Sequence, residues 1–244
     1  MSLDNPRATA SLLIDAAGAG DADAQALLGQ ILLDGNGISR DQRLAVTWFE
    51  IAAGQGHVMA LNMLGRCHEH GWGCPLDLAA AGHCYRQAVA HGLDWAMYNL
   101  ANLLATGRGC AQDHAAAFDL YRRAAELGHA KSMNLLGRYL HEGVLGAAEP
   151  QAALHWFRRS AEAGDFRGQF NYALRLLEQQ QNDAAREWLQ RALRGGNLNF
   201  LRASRARLLS LDNLADLARA YHQRAAELGD SSDVEAYQAL LARA

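Results

Sequence analysis

The chain has 244 residues, half of them apolar, and a formal net charge of −3 at pH 7. This composition can supply a large core, and its mild acidity predicts no general attraction to nucleic acid or to an anionic membrane. Four cysteines predict no disulfide framework, no apolar stretch is long enough to span a bilayer, and no secretory signal opens the sequence, so we expect a cytoplasmic protein.

The sequence repeats itself every 36 residues, as from position 29 to position 65. The same step links a Leu-Gly pair, a turn glycine, a pair of large side chains and a closing glycine in successive segments. The turn glycines are Gly35, Gly71, Gly107 and Gly143. Self-similarity of this length predicts a solenoid, in which each unit buries its apolar side by stacking on its neighbours.

In chain order, residues 1–21 predict a partial N-terminal repeat that acts as a cap. Five repeats follow, over residues 22–57, 58–93, 94–129, 130–165 and 166–197. The fifth is shorter and lacks a Gly-x-Gly turn, so we expect a tighter hairpin there. Residues 198–229 predict a degenerate sixth repeat and residues 230–244 a C-terminal capping helix, because a stack needs terminal elements that cover its last apolar faces.

Each repeat predicts two helices joined by a turn. In the third repeat, apolar residues recur at helical spacing up to Gly107, where a positive φ can close the first helix. Asp113 then begins the second helix, because its carboxylate can accept a hydrogen bond from an N–H that has no partner within the helix. The equivalent starts are Asp41, Asp77 and Glu149.

Small and large residues alternate between the helices. Gly65 and Gly137 on first helices predict close approach of the two backbones. The large side chains of Trp48, Tyr85 and Trp156 are expected to fill the space between repeats.

The repeat resembles the Sel1-like repeat family, a relative of the tetratricopeptide repeat. The residues that carry the resemblance in the second repeat are Leu64-Gly65, Gly71-x-Gly73, Asp77, Ala81, Tyr85, Ala88 and Gly92. The resemblance implies an all-α fold, a right-handed α-α superhelix (solenoid) of helical hairpins with a concave face. It also implies adaptor or scaffold work in protein complexes without catalysis by the repeats, so we expect no enzyme activity, no cofactor and no small-molecule substrate.

In such stacks the first helices line the concave surface, and their outward positions hold our candidate partner-binding residues. Asn and Arg side chains can hold a peptide backbone or a carboxylate, and aromatic side chains can anchor a partner. We therefore predict a groove for an extended peptide or for the acidic edge of a protein. An ordinary solvated surface is the alternative interpretation. The candidates are Asn62, Arg66, His70, Trp95, Tyr98, Asn102, Lys131, Asn134 and Arg138.

The sequence leaves two other classes of function as alternatives. The protein could be an accessory or regulatory subunit of an enzyme that docks through convex or terminal surfaces. A basic line on the second helices could bind nucleic acid, but acidic residues lie beside it, so a solvated edge is favoured. The line consists of Arg86, Arg122, Arg123, Arg158, Arg159 and Arg191.

Histidine and cysteine positions predict structural roles and no metal site. His68 and His70 on one helix point about 200 degrees apart at roughly 3.6 residues per turn, so they do not easily share an ion. Cys67 and Cys84 occupy core positions of the repeat. His57 and His129 recur at the junction between repeats, where we expect them to stabilise the turn.

Overall fold

The computed structural model describes residues 6–242, and their side chains from residue 12 onward except at position 212. These residues form fourteen α-helices and a 3-10 turn at Asp212–Leu214, with no strand among them. The helices are α1 Pro6–Gly18, α2 Ala22–Asp34, α3 Gln42–Gly54, α4 Val58–His70, α5 Leu78–Ala90, α6 Asp94–Thr106, α7 His114–Glu126, α8 Ala130–Glu142, α9 Pro150–Glu162, α10 Phe166–Glu178, α11 Asn182–Gly195, α12 Leu198–Leu209, α13 Ala215–Leu228 and α14 Ser231–Leu241.

The chain divides into two compact units, residues 1–127 and 128–244. In unit 1 the helices pair as α2/α3, α4/α5 and α6/α7, and each pair packs on the next. In unit 2 the pairs are α8/α9, α10/α11 and α12/α13, and α14 packs on α13. The predicted all-α class of stacked helical hairpins is confirmed.

The predicted helix ends are confirmed at most positions. The turn glycines close the first helices in the left-handed conformation, for example Gly107 at φ 66°. Asp41, Asp77 and Asp113 accept a backbone N–H as predicted, the last at 2.9 Å from Ala116. Glu149 also stands at the predicted start of its helix, α9, but its side chain makes no cap bond, because it is longer than that of aspartate and less suited to the cap position.

The two junction histidines also cap helices. The Nδ1 atom of His57 accepts from the N–H of Ala60 at 3.0 Å, and that of His129 accepts from Ser132 at 3.2 Å. A ring nitrogen that accepts a hydrogen bond carries no proton, so the ring proton lies on Nε2. The Nε2 atom of His57 lies 3.1 Å from the Asp23 carboxylate. The predicted turn-stabilising role of both histidines is confirmed.

Gly29, Gly65 and Gly137 on first helices each pack against an aromatic ring of their own hairpin. A Cβ atom at Gly65 would lie 2.6 Å from the ring of Tyr85, and one at Gly137 would lie 2.8 Å from Phe157. The rings of Tyr85 and Phe157 are fully buried, whereas Trp156 is only partly buried. The ring that packs on the helical glycine is therefore that of the second residue of the aromatic pair. Filling of the space between repeats by Trp48 and Trp156 stays a prediction, and Trp48 packs, partly buried, against the core of unit 1.

The short fifth hairpin is tight, as predicted. Only residues 179–181 separate α10 from α11, and Gln180 among them has a positive φ of 60°. The C-terminal helices then complete the core of unit 2. The Tyr221 hydroxyl of α13 donates to the carbonyl of Leu189 in α11 at 2.8 Å, which joins the sixth hairpin to the fifth.

Candidate functional site

The predicted surface asparagines of the first helices are buried and join successive hairpins. Asn62 on α4 is 2% exposed, and its Oδ1 atom accepts from the Asn99 side chain on α6 at 2.9 Å. Asn134 on α8 is 3% exposed, and its Oδ1 atom accepts from Asn171 on α10 at 2.7 Å. Both positions were expected to face outward, and the structure corrects this because each amide turns toward the next first helix.

Two further predicted residues of unit 1 are partly buried. The Asn102 Oδ1 atom accepts from the Tyr121 hydroxyl at 2.7 Å, so this amide ties α6 to α7. Tyr98 lies partly buried on the same helix. Asn102 is therefore committed to a bond inside its hairpin.

An aromatic cluster lies at the end of α4 in unit 1. The Arg66 guanidinium lies over the Trp72 ring at 5.1 Å from its centroid, and the His70 ring lies 4.5 Å from the same ring. Trp72 is the middle residue of the Gly-x-Gly turn and was not among the predicted site residues. Met59 and Trp95, at equivalent positions of α4 and α6, are about two-fifths exposed.

A pocket of about 330 Å³ opens on the first helices of unit 2. We call it the unit-2 pocket. Phe170 of α10 and Phe200 of α12 lie in its lining, with their rings edge to face at 5.6 Å between centroids. The other residues that line it are Asn134 and Arg138 from α8, Arg167 and Asn171 from α10, and Asn199, Ala203 and Ser204 from α12.

Two guanidinium groups give the unit-2 pocket its positive charge. Arg138 and Arg167 are both exposed. Arg138 donates to one oxygen of Glu142 at 3.2–3.3 Å, an exposed pair one helical turn apart. The Arg167 guanidinium lies over the Phe166 ring at 4.7 Å.

A buried carboxylate lies at the start of α10, beside this positive charge. Asp165 accepts from the N–H of Gly168 at 2.8 Å and caps the helix. Burial raises the pKa of Asp165, while the N–H of Gly168 and the charges of Arg167 and Lys131 oppose that rise. Lys131, a predicted site residue, therefore contributes positive charge close to the first turn of α10.

The family follows from the repeats themselves. A sequence model of the Sel1 repeat matches residues 22–57, 58–93, 96–129, 130–165, 167–197 and 213–230, which together make up most of the chain. The chain belongs to the Sel1 repeat family. Sel1 repeats commonly mediate protein–protein interactions.

Three solved structures share the fold. A protective antigen of uropathogenic Escherichia coli with an SLR fold is 27% identical over 93% of this chain and 50% of its own, with a TM-score of 0.70. A Sel1 repeat protein from Oxalobacter formigenes is 21% identical over 91% of this chain and 94% of its own, with a TM-score of 0.77. An immunity protein from Pseudomonas aeruginosa is 16% identical over 91% and 81%, with a TM-score of 0.56.

This Sel1 repeat protein therefore spans half the length of the E. coli antigen. No curated protein sequence matches the chain.

The four cysteines of this Sel1 repeat protein are free thiols. Burial raises the pKa of Cys67 to about 12 and also raises those of Cys74 and Cys84, so these thiols are protonated at neutral pH. The Cys74 sulfur lies 3.6 Å from Nδ1 of His68. Within residues 6–242, no cluster of three or more His, Cys, Asp or Glu side chains could hold a metal ion.

The basic line of the second helices is partly neutralised. Arg122 bonds to Asp119 and Arg158 to Glu162, both at 2.8 Å. Two members of unit 2 stack on tryptophans instead: Arg159 lies 4.7 Å from the Trp156 ring, and Arg191 lies 4.4 Å from Trp188. Among the described helices, none combines the length and apolar character of a membrane span.

Two residues of the unit-2 pocket, Asn134 and Arg138, were among the predicted site residues. The 36-residue step also places Arg167 and Phe170 at the repeat positions of Lys131 and Asn134, but they were not selected as site residues. Phe200 on α12 has no such signal, because the helix lies in a segment where the Leu-Gly pattern is lost.

Proposed function

We propose that this Sel1 repeat protein is a non-enzymatic adaptor that binds a peptide or protein partner along the first helices of its repeats. The observation that carries the proposal is the unit-2 pocket, where exposed Arg138 and Arg167 stand beside the rings of Phe170 and Phe200. Concave pockets with an apolar lining and a few well-placed polar groups are the usual form of a binding site. The family's common role in protein interaction supports the same conclusion.

The first helices of unit 1 offer a second set of anchors for the same function. Trp95 is 42% exposed and Met59 is 40% exposed, and the Arg66 guanidinium is held over Trp72. Tryptophan and arginine dominate the binding energy of many protein interfaces. We propose that these side chains contact the partner, and that the buried asparagines only set the spacing of the helices.

The second helices favour a second candidate function, docking as an accessory subunit of an enzyme. Arg159 on Trp156 and Arg191 on Trp188 form the same stack on α9 and on α11. A stacked guanidinium still presents its N–H groups at its edge, so this surface could take an acidic partner. The proposed ligand is a protein in both cases, and nucleic acid and small molecules are not part of the proposal.

Affinity capture from a lysate of the source cells, followed by mass spectrometry, tests both candidates. The double variant Arg66→Glu with Arg138→Glu reverses charge on the first helices of both units, and Arg159→Glu with Arg191→Glu does so on the second helices. Arg224→Glu is the matched control, because Arg224 is an exposed arginine paired with Glu227 on α13.

We expect the first-helix variant to lose the partners that the wild-type protein and the control retain. Loss of partners only with the second-helix variant would establish the second candidate instead. Retention of all partners by both variants would remove both surfaces from consideration.

We also propose that the protein acts in the cytoplasm. Its four cysteines are free thiols, which suits a reducing compartment.

A further inference from the structure

The unit-2 pocket places an apolar surface and a positive charge close together, so that one residue of a ligand could contact both. Its apolar part is formed by the edge-to-face rings of Phe170 and Phe200, which complement an aliphatic or aromatic side chain. Its charged part is formed by the guanidiniums of Arg138 and Arg167 from two successive first helices. A ligand that satisfies both parts must carry an anion and an apolar group close together.

Both guanidiniums can accept a new anionic partner. The Arg138–Glu142 pair lies on one exposed helical turn, and such pairs contribute little to stability, so a ligand carboxylate can displace it. The Arg167 guanidinium lies over the Phe166 ring at 4.7 Å from its centroid. Such a contact with the face of a ring leaves guanidinium N–H groups free to bond to an anion. The nearby Asp165 carboxylate is buried and bonded to the N–H of Gly168, so it competes weakly for these arginines.

The last residue of a polypeptide has the required combination. Its α-carboxylate and its side chain are attached to the same Cα atom, so an apolar terminal residue can place one on the arginines and the other on the phenylalanine rings. An internal Asp or Glu puts the charge on its own side chain and leaves the apolar lining without a partner. Asn171, Asn199 and Ser204 supply amide and hydroxyl groups for the backbone of the residues that precede the terminus.

We infer that the unit-2 pocket binds the C-terminal residue of a partner protein, with the terminal carboxylate on Arg138 and Arg167 and an apolar side chain on Phe170 and Phe200. This inference rests on the proposed function, because it assumes that the first helices are the partner surface. It adds the chemical class of the ligand and says which part of the partner enters the pocket.

A peptide library with two kinds of C-terminus tests the inference. Random heptapeptides are synthesised as free acids and as C-terminal amides, and each set is passed over the immobilised full-length protein. We expect the retained peptides to be free acids that end in Leu, Ile, Val, Phe or Met. For the best binder, amidation should weaken binding at least about tenfold, because it removes the charge-assisted bonds to both arginines.

Variants of the full-length protein then place the binder in the pocket. Arg138→Gln and Arg167→Gln should each weaken binding of the free-acid peptide at least about fivefold and leave the amide unaffected. Ala203→Glu places a carboxylate at the pocket wall and should abolish binding, whereas the nearly isosteric Ala203→Gln should retain part of it. Arg224→Gln is the control and should bind as the wild-type protein does. All four positions carry exposed side chains on helices, and circular dichroism checks that each variant is folded.

Three results would overturn the inference. They are equal retention of acids and amides, indifference of the bound peptide to Arg138 and Arg167, and retention of no peptide at all. If amide peptides bind as tightly as free-acid peptides and still depend on both arginines, the terminal carboxylate is not the ligand group. The inference is then overturned, and the proposed function is unaffected. Failure of the proposed function has a different signature, namely that first-helix variants retain every captured partner.

Discussion

The contact between a helical glycine and a buried ring sets the distance between the helices of a hairpin. At Gly65, the position that a Cβ atom would take lies 2.6 Å from Cε1 and 2.8 Å from Cδ1 of Tyr85. The ring is fixed from its far end, because the Tyr85 hydroxyl donates to Glu69 at 2.8 Å and Glu69 also bonds to Arg108 at 3.0 Å. Tyr85 therefore has little freedom to move away from an added methyl group.

Gly65→Ala is expected to lower the free energy of unfolding by about 1–3 kcal/mol, the usual cost of an overpacked core. Gly54→Ala is the matched control, since a Cβ at this last residue of α3 would meet no described atom within 4 Å. The control should be neutral or stabilising by up to about 1 kcal/mol, because alanine has the higher helix propensity. Urea denaturation measures both, and equal effects of the two substitutions would contradict this role of Gly65.

The sequence predicts which residues recur but not which way a polar residue turns. Asn62 and Asn134 were placed correctly on the first helices, and their burial was not foreseen. Their partners, Asn99 and Asn171, lie 37 positions later, one residue out of step with the repeat. The offset reflects how neighbouring helices stagger, a property of packing that the 36-residue period does not contain.

At the scale of elements, α14 is held by charge rather than by apolar burial. Its only buried residue is Asp233, which accepts from Arg202 at 3.0 Å and from Arg205 at 2.8 Å, both on α12. Asp230 and Asp233 also form a capping box at the start of the helix. Val234 of the same helix is 40% exposed. Ion pairs thus hold the C-terminal helix on α12, and α12 also lines the unit-2 pocket.

These ion pairs predict that the stability of the folded state depends on pH. The side-chain bonds from Arg202, helped by the Asp230 N–H and by Arg205, outweigh burial and lower the pKa of Asp233 to about 2 from the usual 3.8. Because the folded-state pKa lies below the unfolded one, the charge of Asp233 stabilises the folded state above about pH 4, and this contribution is lost as the pH falls through 2.

A carboxyl-carbon NMR titration measures this pKa directly. The midpoint for Asp233 should lie near 2 in the wild-type protein, and it should rise toward the ordinary value in Arg202→Gln. Arg224→Gln, on α13, should leave the midpoint unchanged. A wild-type midpoint near 4 would show that Asp233 is not held by the arginines.

The elements themselves were largely predictable, and the exceptions have local causes. Glycine at the end of α2, α4, α6 and α8 and aspartate at the start of α3, α5 and α7 specify a turn by their own chemistry, so these boundaries are readable without an alignment. Glu149 occupies the aspartate position with a longer side chain and does not cap. The start of α12 is capped by Asn197, which accepts from the N–H of Phe200 at 3.0 Å, but no turn glycine marks its end.

At the scale of the whole molecule, two compact units repeat one hairpin design with different side chains on their first helices. Unit 1 presents Met59 and Trp95 at the position where unit 2 presents Lys131 and Arg167. The same fold thus carries apolar anchors in one unit and positive charge in the other. Fold alone does not give function, and under the proposed function these differences at equivalent positions decide which partner binds.

Site-specific photocrosslinking in the source cells tests the central claim, that the first helices are the partner surface. Benzoylphenylalanine is introduced at position 203, on the wall of the unit-2 pocket, or at position 223 on α13 as an exposed control. We predict a discrete adduct from position 203 that disappears when Arg138 and Arg167 are both changed to Glu, and no adduct from position 223. Adducts from position 223 alone, or adducts at 203 that persist in the double variant, would contradict the account.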